Sequence, residues 1–444
     1  MTEIILNIFR YLMIFIMFFY VYLSFRNKKH IVQNILTAVF FLLSFVTILH
    51  HTKSPAWIAL ALFEVVYGAT TIALYRVIYP ECSKLLLNNM IMLLTLGFVM
   101  VYRLVPNNAW KQFVIVAIGT ALSFGVPAII KREKFWISMK FILAGVGIVF
   151  LGMALVIGET SFGANLSVNF GAFSLQPSEF VKLSYVLFLA GFLSKAEKLL
   201  DYIISASLAA VHVIILILSN DLGGGLILFV VYVIMLFVAS GKLRYLFIGT
   251  AMGLVGAFGA YKLVPHVKTR VIAWLNPWDV IDGKGYQITQ SLFAIGTGGL
   301  FGLGLCEGLP TKIPVVAKDF IFAAISEELG LIFAIGVILI CFATFIGIMR
   351  TAIRVNNSFY KLIAVGFGVL YIFQCFLTIG GVTKFIPSTG VTLPFVSYGG
   401  SSILSSIIVF AIIQGLYIMK HDERHLNEKR NTRKKAEKTE KDAE

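Results

Sequence analysis

The chain has 444 residues, of which 59% are hydrophobic and only 13% are charged, and its mean hydropathy is +0.89. A soluble core cannot bury so much apolar surface, so the composition excludes a soluble enzyme, a disordered chain and a small peripheral protein. The net charge of +15 is interpreted as basic loops and a basic tail resting on an anionic membrane surface, and not as a nucleic-acid site.

Apolar segments close to twenty residues long recur along the whole chain, and each can cross a bilayer core of about 30 Å. They predict an all-α polytopic membrane protein, because helices satisfy their own backbone in lipid, and they lack the alternating polarity of outer-membrane strands. About thirteen transmembrane helices are predicted, at 7–24, 32–50, 56–76, 86–104, 111–130, 137–157, 179–194, 203–219, 224–240, 246–263, 322–348, 361–380 and 398–419.

Basic residues in the connecting loops predict the orientation of the chain. Thirteen spans place all the basic stretches on one side, namely 26–30, 131–134, 194–198, 241–244, 350–354 and the tail after residue 419. The positive-inside rule therefore predicts an outside N-terminus and a cytoplasmic C-terminus. Three long loops then face outward, at 158–178, 264–321 and 381–397. The four cysteines are widely spread and indicate neither a metal site nor a disulfide framework.

Two short polar motifs lie at predicted helix starts. The first is FSLQPSEFVK (173–182), in which Gln176 and Glu179 flank a proline suited to the first helical turn. The second is SNDLGGG (219–225), in which Asp221 can cap the next helix. A helix cap and a functional polar group both remain open for each motif.

The largest outer loop carries the densest polar chemistry. The segment RVIAWLNPWDVIDGKGYQITQ (270–290) contains two acids, Asp279 and Asp282. Basic, phenolic and amide side chains lie near them in the sequence, namely Arg270, Lys284, Tyr286 and Gln287. A carboxylate beside cations at a membrane surface can act as a general base while the cations hold phosphate. An ordinary hydrated loop is the alternative.

Acids and helix breakers mark the last two outer segments. In KDFIFAAISEELG (318–330), Asp319, Glu327 and Glu328 lie at the start of an apolar segment, where intramembrane acids are costly and usually functional. In PSTGVTLPFVSYGGSS (387–402), prolines and glycines interrupt a span, as expected of backbone that lines a cavity or is buried in protein. Glu64, a lone acid in the third span, is interpreted as structural.

Taken in order, QPSEFVK, NPW, GKGYQITQS, AIGTGGLFGLGL, DFIFAAISEELG and PSTGVTLPFVSYGGSS resemble the SEDS family of shape, elongation, division and sporulation proteins, the FtsW/RodA/SpoVE group. The resemblance runs over about 86–419 and implies a ten-helix core. It predicts three additional N-terminal helices at 1–80, a core at 81–419 with its large outer loop at 264–321, and a charged cytoplasmic tail at 420–444.

The resemblance implies a peptidoglycan glycosyltransferase that polymerises lipid II at the outer face of the cytoplasmic membrane, in cell-wall synthesis for shape, division or sporulation. The family's partners are class B penicillin-binding proteins, which are transpeptidases, and divisome or elongasome components. The position of the family's key loop aspartate holds Val280, so Asp279 and Asp282 are the candidate bases. The candidate substrate-binding residues are Arg270, Lys284, Tyr286, Gln287, Gln176, Glu179, Lys318, Asp319, Glu327, Glu328, Lys384 and Ser397.

Two functions follow from the altered loop. In the first, the protein is a divergent polymerase that uses Asp279 or Asp282. The family carries an arginine before the QPSE motif that this chain lacks, and Lys318 and Lys384 take over its role in holding pyrophosphate. In the second, it no longer polymerises, and instead binds or flips the lipid-linked precursor or serves as a scaffold for a transpeptidase. No cofactor is required by the sequence. The acids are compatible with a divalent cation, although no ligand spacing demands one.

Overall fold

The computed structural model describes residues 2–53, 56–161, 164–170 and 173–441, and those residues are mostly helical. The first nine helices are α1 (Thr2–Arg26), α2 (His30–Thr52), α3 (Ala56–Ile78), α4 (Lys84–Leu104), α5 (Ala109–Ser123), α6 (Val126–Ile130), α7 (Glu133–Ser138), α8 (Lys140–Ile157) and α9 (Pro177–Leu193). The remaining nine are α10 (Leu199–Leu218), α11 (Leu222–Ser240), α12 (Leu243–Leu263), α13 (Pro265–Leu275), α14 (Tyr286–Gly298), α15 (Ile321–Leu329), α16 (Leu331–Arg354), α17 (Ser358–Val382) and α18 (Gly400–Lys441).

Twelve helical segments in these described ranges are long and apolar enough to cross a membrane. The predicted multi-pass helical fold is therefore confirmed, but the count of thirteen is not. The predicted span at 179–194 corresponds to α9, which has 17 residues and lies at the short end of spanning lengths. The predicted span at 322–348 is divided at Gly330 into α15 and α16.

A small antiparallel sheet occupies most of the loop predicted at 158–178. Its strands β1 (Glu159–Ser161), β2 (Ala164–Phe170) and β3 (Phe173–Leu175) are joined in that order. Glu159 pairs with Ser167, and Val168 pairs with Leu175. The last strand leads directly through Gln176 into α9, so the sheet fixes where the QPSEFVK helix begins.

The centre of the bundle is α4, while α12 lies at its periphery. In the most apolar stretch of α4, 94% of the residues are buried, compared with 6% in α12. The side chains of α12 therefore face lipid almost all round, as an apolar helix can in hydrocarbon. The buried α4 contacts α2, α5 and α16, and thereby joins the N-terminal helices to the rest of the protein.

Buried hydrogen bonds attach the first two helices to the bundle. Gln33 Nε2 on α2 donates to Ser24 Oγ on α1 at 3.0 Å. On α4, Asn88 Nδ2 donates to Gln33 Oε1 at 3.1 Å, and Asn89 Nδ2 donates to Thr344 Oγ1 on α16 at 3.1 Å. Since apolar side chains gain little from leaving apolar lipid, such polar contacts and close packing hold membrane helices together.

Residues 391–397 of the irregular segment between α17 and α18 are largely buried and pack against α4. Their backbone is satisfied by neighbours: Gln374 Nε2 donates to Thr392 O at 3.0 Å, and Thr378 Oγ1 donates to Val391 O at 2.9 Å. A Cβ on Gly97 of α4 would lie 2.7 Å from Phe395 O and 2.8 Å from the carbonyl oxygen of the next residue. The close approach of α4 to this backbone therefore requires a glycine.

Replacing Gly97 with alanine is expected to destabilise the protein by about 1–3 kcal/mol, because the added methyl group forces the irregular segment away from α4. Thermal unfolding of the full chain in detergent measures the change. Gly152→Ala is the matched control, since a Cβ there meets no atom within 4 Å. Equal unfolding temperatures for the two variants would contradict the packing described here.

Candidate functional site

A cavity of about 250 Å³ lies where helices α13 and α14 meet two irregular segments. One of these segments leads into α15, and the other is the segment between α17 and α18. Its apolar wall includes Trp274, Ile288 and Phe320. Its polar lining consists of His266, Thr269, Arg270, Lys284, Gln287, Asp319 and Ser388. The cavity thus combines cationic, anionic and neutral hydrogen-bonding groups within one hollow.

Local sequence explains how α13 and α14 reach this position. Pro265 occupies the first turn of α13, where its missing N–H would have no helical partner. Trp274 Nε1 then donates to Lys384 O at 3.1 Å, which ties α13 to the chain just after α17. Ser291 Oγ on α14 donates to Val382 O at 2.8 Å. Both helices are therefore anchored to the same end of α17.

Gly390 lies between the two most buried charges of the cavity. Its φ is +74°, in the left-handed region that favours glycine. A Cβ at this position would lie 3.4 Å from Arg270 Nη2 and 3.6 Å from Asp319 Oδ2. The absence of a side chain leaves room for a ligand atom between the guanidinium and the carboxylate.

The charges around this point act on one another. Burial raises the pKa of Asp319, and nearby Lys318 and Arg270 counteract that rise. Burial lowers the pKa of Arg270, and the carboxylates of Asp319 and Asp221 oppose that decrease. Arg270 therefore lies between two acids in a poorly solvated site, where electrostatic interactions are strong.

Asp221 caps α11 beside the same irregular segment. Its Oδ1 accepts a hydrogen bond from Gly224 N at 2.8 Å, as the sequence predicted for a helix cap. Burial raises its pKa, and Gly224 N and Lys182 counteract that rise. A Cβ on Gly223 would lie 2.9 Å from Thr389 O, so the start of α11 packs on the chain that forms the cavity.

Four of the sequence-predicted site residues line the cavity, namely Arg270, Lys284, Gln287 and Asp319. The two predicted bases, Asp279 and Asp282, are exposed and do not line it. Both lie in the turns that join α13 to α14, close in sequence to Lys284. Tyr286 begins α14 and is 38% exposed, also outside the lining.

The predicted residues of the QPSEFVK motif form a buried polar contact among α9, α17 and α18. Lys182 Nζ lies 2.8 Å from Glu179 Oε1 and donates to Gln374 Oε1 at 3.1 Å. Ser405 Oγ donates to Glu179 Oε2 at 2.9 Å. The backbone N–H of Gln176 donates to Ser401 Oγ at 3.0 Å. The motif therefore holds the helices together beside Asp221.

Glu327 and Glu328 hold the chain that follows α14. Arg103 Nε on α4 donates to Glu328 Oε1 at 2.8 Å, and Arg103 Nη2 donates to Gly308 O at 3.0 Å. Glu327 Oε1 accepts from Leu309 N at 3.0 Å. These contacts fix the 303–309 segment, and neither glutamate lines the cavity of about 250 Å³.

The three remaining predicted residues contribute through backbone contacts. Lys318 is exposed, and its carbonyl oxygen accepts a hydrogen bond from Ser397 Oγ. Ser397 Oγ also accepts from Leu393 N at 2.9 Å, which closes the buried turn. Lys384 has φ of +60° and offers its carbonyl oxygen to Trp274. None of the three lines the cavity.

Sequence reasoning missed His266, Thr269 and Ser388. The spacing of 266, 269, 270, 273 and 274 places one face of α13 towards the cavity, so helical periodicity could have found the first two. No comparable local pattern marks Ser388. Within the described ranges, no group of three or more His, Cys, Asp or Glu side chains is arranged to hold a metal ion.

The family model described as "Cell cycle protein", FTSW_RODA_SPOVE, matches residues 83–422. The chain belongs to this family. The match leaves α1–α3 outside it and includes every residue that lines the cavity of about 250 Å³. The predicted resemblance is therefore confirmed.

Curated relatives agree with this membership. The peptidoglycan glycosyltransferase RodA of Mycobacterium tuberculosis is 34% identical over 380 residues, covering 79% of this chain and 81% of its own. Stage V sporulation protein E of Bacillus subtilis is 32% identical and covers 73% of this chain and 93% of its own. The probable peptidoglycan glycosyltransferase FtsW of Tolumonas auensis is also 32% identical, over 68% of this chain and 79% of its own.

Solved structures show the same fold. A chain from work titled "Structural coordination of polymerization and crosslinking by a peptidoglycan synthase complex" matches with a TM-score of 0.66 and 26% identity, over 76% of this chain and 97% of that chain. The rod shape determining protein RodA of Thermus thermophilus matches with a TM-score of 0.57 and 25% identity, over 75% and 95%. The bundle after α3 is thus a RodA-like polytopic fold.

The Arg103–Glu328 contact gives a stability prediction. Arg103→Met leaves the Glu328 carboxylate buried without its partner and is expected to cost about 3–5 kcal/mol. The double variant Arg103→Met/Glu328→Gln is expected to recover part of that loss, because no unpaired charge remains. Unfolding in detergent of the two single variants and the double variant measures the coupling. A double variant as unstable as the sum of the singles would contradict a direct interaction.

Proposed function

We propose that the protein is a peptidoglycan glycosyltransferase that polymerises lipid II into glycan strands. The observation that carries this proposal is the cavity in which Arg270, Lys284 and Asp319 meet at one end of a FtsW/RodA/SpoVE bundle. Members of this family carry the name peptidoglycan glycosyltransferase. The substrate class fits the site, since a lipid-linked pyrophosphate sugar needs cations at the membrane surface and an apolar path for its isoprenoid.

The reaction joins two lipid-linked sugars. The 4-hydroxyl oxygen of one disaccharide attacks the anomeric carbon of the other chain, whose bond to the undecaprenyl pyrophosphate oxygen breaks. The hydroxyl proton passes to a carboxylate acting as general base. Arg270 and Lys284 hold the pyrophosphate and stabilise the negative charge that develops on it as it leaves. We propose that Gln287 hydrogen-bonds the sugar at the edge of the same cavity.

Three carboxylates are candidates for the base. The sequence favours Asp279 and Asp282, which lie in the loop where the family has its key acid, although both side chains are exposed. The geometry favours Asp319, because only this one of the three lines the cavity with the two cations. A poorly solvated carboxylate with a raised pKa is also the stronger base.

The other sequence-predicted residues act around this centre in our proposal. Glu179 joins α9 to α18 through its hydrogen bond with Ser405, and Glu328 holds the 303–309 segment in place through its ion pair with Arg103. Ser397 and Glu327 stabilise the surrounding backbone by hydrogen bonds, and the Gln176 side chain donates to Ser178 Oγ at the start of α9. Tyr286, Lys318 and Lys384 lie near the cavity and are proposed to contact the extended substrate.

We further propose that the cavity faces the outer side of the cytoplasmic membrane and that a class B penicillin-binding protein crosslinks the glycan product. Arg10 Nη1 on α1 donates to Leu303 O at 3.2 Å, so the N-terminal half of α1 lies on the same side as the large loop. This sidedness agrees with an outside N-terminus, and the basic loops favour a cytoplasmic C-terminus. The structurally similar chain belongs to a peptidoglycan synthase complex that coordinates polymerization and crosslinking.

The three acids can be separated by conservative substitutions. Asp319→Asn is expected to reduce the rate of lipid II polymerisation by about 10²–10⁴-fold, as expected for loss of a general base. The assay uses purified protein with labelled lipid II, alone and with a class B penicillin-binding protein. Asp279→Asn and Asp282→Asn are the matched controls and should retain most activity. A loss confined to either loop variant would move the base to that residue, and absence of polymer from the wild type with its partner would contradict the function.

The proposed base also predicts a pH dependence. Activity requires the ionised Asp319 carboxylate, so the rate should fall as the pH decreases through its raised pKa. Lys318 lowers that pKa, so Lys318→Gln should raise it and shift the acidic limb of the rate profile to higher pH. Lys312→Gln, which removes an equal charge from another exposed lysine, is the control. Identical profiles for all three proteins would contradict the assignment.

A further inference from the structure

A second cavity, of about 310 Å³, lies among α2, α3 and α4 and shares no lining residue with the proposed active site. Most of its wall is apolar. Its polar lining residues are Asn34, Thr37, Glu64, Tyr67 and Thr95, and Gly68 also lines it. Two of the three helices that form it lie before the residues matched by the family model. The cavity is therefore a feature of the added N-terminal helices and of their junction with the core.

Hydrogen bonds to α5 and a glycine on α3 shape this cavity. Tyrosines attach α3 to α5: Tyr67 Oη lies 2.8 Å from Thr120 Oγ1, and Tyr75 Oη lies 2.7 Å from Ser123 Oγ. On the side towards the cavity, a Cβ on Gly68 would meet no atom within 4 Å. These contacts fix the position of α3 beside α5, and the glycine leaves the space next to Tyr67 open.

Glu64 is the only ionisable acid or base on the cavity wall apart from the phenol of Tyr67. Its side chain is buried, with 6% exposed, and neither carboxylate oxygen has a hydrogen-bond partner among the described residues. The Tyr102 hydroxyl lies beside this carboxylate, but the two groups do not form a hydrogen bond of good geometry. No lysine, arginine or histidine lines the cavity. A carboxylate in such surroundings is costly unless a donor or a cation meets it.

The size and depth of the cavity restrict what can supply that donor. One turn of helix, 5.4 Å tall and about 10 Å wide, fills roughly 400 Å³, so a partner's transmembrane helix does not fit. Glu64 lies eight residues into α3, which is about 12 Å of helix from its first residue. A ligand that reaches this depth must dissolve in the membrane and carry its polar group on an apolar body.

We propose that this cavity binds a small membrane-dissolved amphiphile of the alkylamine class. Its ammonium group donates to the two unpartnered oxygens of Glu64, and its hydrocarbon lies against Phe41, Ile72 and Phe98. The charge of the ammonium complements an acid that has no basic neighbour on the cavity wall. The proposal is independent of the glycosyltransferase reaction, since it uses none of the residues of the proposed active site.

Photolabelling tests this site directly. The full chain in phosphatidylcholine nanodiscs is titrated with diazirine-bearing decylamine or with the matching decanol, and the labelled peptides are mapped by mass spectrometry. The amine is expected to label α2–α4 with half-saturation at about tenfold or more lower concentration than the alcohol, as a charge-assisted hydrogen bond would give. Equal half-saturation for the two probes, or labelling outside these helices, would overturn the proposal.

Three variants distinguish the effect of the Glu64 charge from the effect of the open volume beside Gly68. Glu64→Gln should abolish the preference for the amine while both probes still enter the cavity. Gly68→Leu should reduce labelling by both probes, because its side chain fills the open space. Glu3→Gln, which removes an exposed acid on α1, is the matched control and should behave as the wild type. Monodisperse elution and an unchanged unfolding temperature establish that each variant folds. An amine preference that survives Glu64→Gln in folded protein would overturn the role of the carboxylate.

Discussion

The structure depends on satisfying irregular backbone at membrane depth. In hydrocarbon no water replaces a missing hydrogen bond, so the segment between α17 and α18 can exist only where neighbouring side chains satisfy its backbone. Gln374, Thr378 and Ser397 provide those bonds, and Gly97 allows α4 to pack directly on the same backbone. The fixed position of this segment places Gly390 between Arg270 and Asp319, and thereby creates the proposed active site.

Buried acids serve different purposes in this bundle according to what meets them. Glu179 and Glu328 each have a basic partner at 2.8 Å. Glu328 is joined in this way to Arg103 on α4, and Glu179 also accepts a hydrogen bond from Ser405 on α18, so both acids connect distant parts of the chain. Asp319 lies beside cations but also lines a cavity, so its carboxylate remains accessible to a substrate. Glu64 lines a cavity with no cationic neighbour on its wall, and for that reason we assign it a ligand and not a structural role.

The departure of the active loop from its family pattern can be understood in the same terms. This chain has Val280 at the loop position where the resemblance implies a key aspartate, and the nearby acids Asp279 and Asp282 are exposed. The cations of the loop nevertheless still reach the cavity through Arg270 and Lys284. In our proposal, Asp319 of the DFIFA motif supplies the base beside the two cations that line the same cavity. The scaffold is thus preserved while the proposed base comes from a different segment.

The sequence by itself determined the multi-pass helical fold, the family, and four of the cavity residues, because segment length, hydropathy and ordered motifs are local properties of the chain. It also identified Glu328 as a costly intramembrane acid, although not Arg103 as its partner. Only the tertiary structure decided which carboxylate enters the cavity, that α15 and α16 are separate helices, and that Glu64 borders an open space. The physical reason is that Arg270, Asp319 and Gly390 are far apart in the sequence, and only the packing of α13, α14 and the irregular segment against α17 brings their side chains together.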